Sequence, residues 1–541
     1  MKKIIVLFAE SVNHYSFEKS FGKKSAFERS MELSSFFDET VLTLILCTKE
    51  NRTQIESLSL SFKNVKIIDK DFWSCSDVVG AISEECESFG ASCAVFSWAD
   101  CPFISKKLSL ELMDMHLKYK AEYTFADGFP YGLAPEIIDS GAAKILYELC
   151  KDTCRSAGEK QVGRDCIFSI MSSDINSFEI ETLISEKDYR SYRFEFECSS
   201  KAGFYLCTNV YKKLSEQNIS DELDFDAIKL SDTAVSLPNA IQNLPAFYNI
   251  QISAKNNTKS VYDPLEQCAE KLFKRDEFSK LNSFLQMNFC DFEKLLKKIS
   301  DFSETAVIGL SCFGEPLLND CFYQFAEKVL SYPKFSLFIE TSGLEVTEEL
   351  AQKIALAAQK NNFGGELGNI NWAVCIDSSD SLMYEKIHGI DGANYQKVVS
   401  SVAILSKYFP KHVYPQFTRM NANENQLESF YRFWKEKENP SGGILVIQKY
   451  DNLAGILPDE KPADLSPLER NVCWHIRRDF VVLCDGSVPV CRTRAKEIFG
   501  NAFTDELDEI WKKIGSEVEK QMKNDYCKTC RACDEYYTFN F

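Results

Sequence analysis

The sequence predicts an α/β protein in three segments: a layered α/β domain, a complete or partial parallel (β/α) barrel, and a small cysteine-rich tail. Three observations predict it. A chain of 541 residues exceeds what one hydrophobic core supports, so several domains are expected. Short apolar runs alternate with amphipathic stretches over most of the length, the pattern of strand–helix units. Of the 21 cysteines, six (Cys473, Cys484, Cys491, Cys527, Cys530 and Cys533) crowd into roughly the last 70 residues.

The first segment, residues 1–240, opens on Ile4-Ile5-Val6-Leu7-Phe8-Ala9. Two lysines precede this run, as in a signal peptide, but Glu10 cuts it short, so it reads as a buried strand. Val41–Leu46 and Ala94–Trp98 continue the strand pattern, and a Pro- and Asn-containing stretch from Leu237 to Pro245 ends it. The second segment, 247–450, places strands at Ala306–Ile308, Ser336–Ile339, Trp372–Ile376, Val413–Phe417 and Ile444–Ile447, a spacing that suits a parallel barrel with its working residues at the strand C-termini. A polar stretch, Ala454–Pro467, leads to the third segment, 465–541.

Apolar residues make up 45% and charged residues 26%, and no run approaches the uncharged apolar length of a membrane span, so a soluble, cytoplasmic chain without a membrane partner is expected. A formal charge of −18 argues against nucleic acid as partner, since phosphate binding is driven by clustered Lys and Arg. With no secretion signal, the tail cysteines point to metal before disulfides. The scattered ones, such as Cys93 within Ala91–Val95, read as small buried hydrophobes.

In the tail, Phe480–Leu483, Asp485-Gly486 and Val488–Val490 read as a hairpin that brings Cys473 and Cys491 to one end. A helix over Asp505–Ile514 follows, and then Cys527-x2-Cys530-x2-Cys533, whose loops let pairs of sulfurs point at one centre in zinc and iron–sulfur sites alike. Cys473, Gly486, Cys491, Phe499-Gly500-Asn501, Ile510-Trp511 and Cys530–Tyr536 together resemble a SPASM domain, the auxiliary cluster module of peptide-modifying radical enzymes. That resemblance implies one C-terminal 4Fe-4S cluster on Cys473, Cys491, Cys530 and Cys533, with Cys527 an alternative to either of the last two and Cys484 a spare. A zinc knuckle on the same ligands is the competing reading.

The middle segment resembles the radical S-adenosylmethionine core. Ile308–Leu317, with Gly314-Glu315-Pro316, is similar to the strand end that binds the methionine amino group; Ile339–Gly343, with Thr341, and Val374–Asp377 with Tyr384–Gly389 are similar to later strand ends near the adenosine. The resemblance makes Gly314, Glu315, Thr341 and Asp377 the cofactor-binding candidates. Where the family carries Cys-x3-Cys-x2-Cys, this chain has Asn256, Ser260 and Asp263, with Tyr262 and Pro264 in place around them. Amide and hydroxyl oxygens are poor ligands for a cluster held by thiolate, so no radical-generating cluster is expected. A pocket for S-adenosylmethionine or another nucleotide is retained through Glu315, or the frame is an inherited scaffold; both readings stand.

The first segment resembles cytidylyltransferase-like nucleotidyltransferases at Phe96–Ile104, at Tyr131–Glu136 and at Arg190–Glu197. By that resemblance Asp100, with Glu197 as second acid, holds Mg²⁺ against nucleotide phosphates, or the fold is retained for contact rather than transfer; both readings stand. The family's glycine-rich basic loop is replaced by Phe8–His14, which carries Glu10; Lys19, Lys23 and Lys24 are the compensating candidates. The whole chain resembles a spirochete-restricted family of SPASM proteins with similarly altered core motifs. Three functions follow: an iron–sulfur protein in electron transfer, scaffolding or substrate presentation with a redox, protein or peptide partner; a nucleotidyl or glycosyl transferase working from Asp100; or an atypical radical enzyme.

Overall fold

The structure, a computed structural model, describes residues 1–157, 162–216, 225–273, 286–361 and 369–538. It divides into two compact units, Met1–Ile241 and Gln242–Phe541. Among the described residues no helix is long and apolar enough to cross a membrane.

The first unit is built on seven strands: β1 (Lys3–Ala9), β2 (Thr40–Thr48), β3 (Val65–Lys70), β4 (Cys93–Trp98), β5 (Tyr123–Asp127), β6 (Glu136–Asp139) and β7 (Ile180–Ile184). They form one sheet in the order β3-β2-β1-β4-β6-β5-β7. β1 and β4 are buried along their whole length, as their unbroken apolar runs require of parallel strands covered on both faces. Among the described strands only β6 runs against its neighbours. β4 ends at Trp98 and hands the chain to Asp100, which is fully buried at the strand's C-terminal end.

Glu136 opens β6 and gives this sheet a pH dependence. Burial raises its carboxyl to about 7, against the hydrogen bond from Tyr123, and its Oε2 has no partner. The unfolded chain loses this proton near 4.5, so between that value and about 7 the native state holds more protons and stability falls as pH rises. Glu136→Gln is expected to match wild type in stability near pH 4 and to exceed it by up to about 3 kcal/mol above pH 7. Urea denaturation at the two pH values checks this; a gain at the lower pH alone contradicts it.

In the second unit β8 (Phe247–Ile250), β9 (Ala306–Leu310), β10 (Phe335–Thr341), β11 (Ile370–Cys375), β12 (Val413–Arg419), β13 (Val446–Lys449) and β14 (Asp479–Val482) make an all-parallel sheet ordered β13-β12-β11-β10-β9-β8-β14. The sheet has two ends, β13 and β14, and is therefore the partial form of the barrel. Helices Phe289–Ser303, Phe322–Leu330, Glu348–Asn361 and Asn394–Tyr408 make the crossovers between successive strands, as parallel pairing demands.

The expected tail hairpin is corrected. Phe480-Val481-Val482 does not turn back on Val488–Val490; it joins the large sheet beside β8, where both faces of a fully apolar strand are covered. The turn at Asp485-Gly486 exists, with Leu483 N donating to Ser487 O at 2.9 Å. β15 (Ser487–Pro489) then pairs with β16 (Ile498–Asn501) instead. Gly486 has φ +83°, and a Cβ there would approach Asn501 Oδ1 to 2.5 Å, so only glycine fits the corner.

Candidate functional site

Three segments deliver the tail thiols. Cys473 precedes the short helix Trp474–Arg478, Cys491 follows β15, and Cys530 and Cys533 lie on and just after the helix Lys528–Ala532. Cys473, Cys491 and Cys533 line a cavity of about 630 Å³ with Asp451, His475 and Glu535. Burial pushes the Cys491 thiol well up, and the neighbouring Cys473, Cys533 and Cys530 push it further, so the four sulfurs share one neighbourhood. Burial likewise lifts Cys530 and Cys533 to about 12.

Donors surround these sulfurs. Glu535 N points to Cys533 Sγ at 3.4 Å, and Arg494 Nη1 and Gln521 Nε2 each reach Cys530 Sγ at 3.7 Å. Backbone N–H groups of Ile476 and His475 oppose the burial-driven rise at Cys473, and that of Arg494 does so at Cys491. Gln521, on helix Leu507–Met522, also accepts Cys473 N at 3.0 Å, tying two ligand segments together. Soft sulfurs set round a cavity, each with an N–H donor that favours thiolate, fit a cluster that occupies the volume between them. Among the described residues, no three Cys, His, Asp or Glu side chains converge as the ligands of one metal ion.

Cys527 does not line the cavity, but it touches the set through Cys530, whose thiol it pushes up. It is exposed, and its Sγ caps the helix Lys528–Ala532 by accepting Cys530 N at 3.4 Å. Cys484 is buried near Cys312 and does not line the thiol cavity.

At the barrel mouth a second cavity, about 660 Å³, is lined by Asn256, Ser260, Asp263, Gly314, Glu315, Thr341 and Arg492 among others. Gly314 has φ +90°, and a Cβ would come within 2.4 Å of Ser253 O, so the strand-end turn needs glycine. Glu315 is buried, and its carboxylate accepts from Thr341 Oγ1 at 2.8 Å, Ser342 N at 2.7 Å and Leu317 N at 3.1 Å; burial raises its pKa against these donors. Asp377 is not among the lining residues. It is fully buried, accepting from Tyr262 Oη at 2.7 Å and from Thr418 N, and Tyr262 in turn lines the cavity.

The three positions that lack cysteine all have other employment. Asn256 Nδ2 donates to Glu266 Oε1 at 3.2 Å, Ser260 Oγ lies 3.0 Å from His388 Nδ1, and Asp263 caps the helix Pro264–Leu272 by accepting Leu265 N at 2.8 Å.

Residues 473–534 match the SPASM family, described as an iron–sulfur cluster-binding domain. An uncharacterized protein of Treponema pallidum (strain Nichols) is 34% identical over 385 residues, 69% of this chain and 98% of that protein. The chain is a SPASM-domain protein and belongs to the family of that treponemal relative. Two solved structures are looser likenesses. A cytidylyltransferase from Leptospira borgpetersenii is 17% identical, covering 45% of this chain and 97% of its own, with TM-score 0.36. BtrN in complex with AdoMet and 2-DOIA is 18% identical, covering 54% and 93%, with TM-score 0.34.

This SPASM protein carries its other acidic site in the first unit, and there the structure departs from expectation. Asp100 and Glu197 do come together, but around Arg164. Its Nη1 and Nη2 reach Asp100 Oδ1 and Oδ2 at 2.9 and 2.7 Å, and Nη2 reaches Glu197 Oε2 at 2.9 Å. Ser11 Oγ donates to Asp100 Oδ2 at 2.8 Å and Cys101 Sγ to Oδ1 at 3.5 Å, so both Asp100 oxygens are committed. These residues do not fit Mg²⁺, which demands carboxylate oxygens open to a near-octahedral shell. Of the basic candidates, Lys24 pairs with Glu32, and Lys19 lies 3.8 Å from Glu28.

Sequence reasoning missed Arg164, and also Arg492, which lines both the mouth cavity and the thiol cavity. Arg492 Nε is buried without a hydrogen-bond partner, and its guanidinium lies 5.5 Å from the centre of the Phe313 ring. Burial opposes its charge while Cys312, Glu340, Asp451 and Glu535 hold it on. Its position directly after Cys491 was the available signal.

Proposed function

We propose that the chain is a member of the radical S-adenosylmethionine/SPASM superfamily that holds one 4Fe-4S cluster on Cys473, Cys491, Cys530 and Cys533 and serves in electron transfer, scaffolding or substrate presentation without cleaving S-adenosylmethionine. A redox, protein or peptide partner fits this reading. A bound cluster supplies one-electron chemistry. The protein's own part is to supply thiolates, surround them with N–H donors from Arg494, Gln521, Ile476 and Glu535, and bury them, all of which tune a cluster's potential.

The observation that supports the non-cleaving half of the reading is the employment of Asn256, Ser260 and Asp263. Each side chain makes a hydrogen bond to another residue, none is a thiol, and together they occupy the positions where the resemblance expects three cluster ligands. Cys375 is the one thiol among the residues that line this cavity, and a single thiol does not supply the three sulfurs such a cluster needs. Glu315 already receives three donors, and a ligand's ammonium would share a carboxylate that is satisfied without it.

Anaerobic reconstitution with iron and sulfide, followed by iron counting and an assay for S-adenosylmethionine cleavage, tests both halves. About four irons per chain and no cleavage are expected. About eight with cleavage overturns the reading, as does zinc without iron.

A further inference from the structure

The disagreement between the two acids of the first unit and a divalent cation has a positive content: we infer that Arg164 is a permanent internal cation that fills the place between Asp100 and Glu197, making this unit independent of divalent metal. Arg164 meets Asp100 as a two-pronged fork and extends the same Nη2 to Glu197, the paired N–H geometry that a guanidinium supplies and a single ammonium does not. Ser199 Oγ and Tyr131 Oη take further contacts at 3.2 and 3.3 Å. The guanidinium also lies 4.0 Å from the centre of the Trp98 ring, a cation–π contact.

The charges support the same conclusion. Two carboxylates this close in a buried site need a cation or a proton. Burial works against the Arg164 charge, but Asp100 overrides it and holds the guanidinium's pKa above its ordinary value. Glu197 is raised, by burial and then by Asp100, with Arg164 pulling it back down. A divalent ion entering here would first have to expel Arg164 from at least five polar contacts and an aromatic face.

Once Arg164 is removed, the same oxygens of Asp100, Glu197, Ser11, Ser199 and Tyr131 are left facing one another, a set of hard donors suited to Mg²⁺. The test is thermal unfolding of the full chain with and without added Mg²⁺, for wild type, Arg164→Ala, Arg164→Gln and the double variant Arg164→Ala/Asp100→Asn. Wild type is expected to show no Mg²⁺-dependent shift. Both single variants are expected to unfold at lower temperature and to regain stability on adding Mg²⁺, and the double variant to lose that response. A wild-type Mg²⁺ shift abolished by Asp100→Asn overturns the inference. So does a folded Arg164→Ala or Arg164→Gln that ignores Mg²⁺, and so does failure of both to fold even with Mg²⁺ present.

Discussion

Cys491→Ser and Cys530→Ser, purified without oxygen and reconstituted with iron and sulfide, are each expected to lose nearly all iron–sulfur absorption, and iron to fall from about four per chain toward zero. Serine keeps the shape of the side chain and replaces a soft ligand by a hard neutral one, so the loss reports ligation and not packing. The two residues are also sampled from different segments, one after β15 and one on the helix Lys528–Ala532. Cys527→Ser and Cys484→Ser are the controls. Cys527 is exposed and serves as a helix cap, and Cys484 is buried away from the thiol cavity, so both variants should keep their iron. Full iron in Cys491→Ser, or loss in Cys527→Ser matching that in Cys530→Ser, assigns the ligands differently.

The parts of this molecule legible in the sequence are those set by local pattern. Ile4–Ala9 is a buried strand because an apolar run of that length suits a parallel sheet covered on both faces, and the Asp485-Gly486 corner is marked by its glycine. Cys473 and Cys491 flank the strands of the tail and line one cavity, although those strands pair with β8 and β16 and not with each other. Phe480–Val482 looks the same in a hairpin and in a parallel sheet, and only the vacancy beside β8 decides between them. Side-chain choices made over long range were not legible. Arg164 lies 64 residues from Asp100, and Ser260 lies 128 from His388, so no window along the chain pairs them. The first of these contacts sets Arg164 between the two acids of the first unit, and the second engages a position where the resemblance expects a thiol.

The barrel mouth retains the frame of a cluster site and differs in its ligands, which makes restoration an informative experiment. The triple variant Asn256→Cys, Ser260→Cys, Asp263→Cys is expected to take up a second cluster, raising iron from about four to about eight per chain. The cavity of about 660 Å³ already lies against all three positions. Gly314, which lets the neighbouring strand end turn tightly, is in place. The substitutions give up the Asn256–Glu266 and Ser260–His388 bonds and the Asp263 cap, the last worth about 1 kcal/mol. A thiol can take over part of that role, as Cys527 does for the helix Lys528–Ala532, so the variant should fold. Iron is the proper readout because Glu315 is already held by three donors, and uptake of a cluster does not depend on freeing it. If the folded variant stays at about four irons, more than three ligands separates this mouth from a working one, and its remaining residues have been reshaped for another purpose.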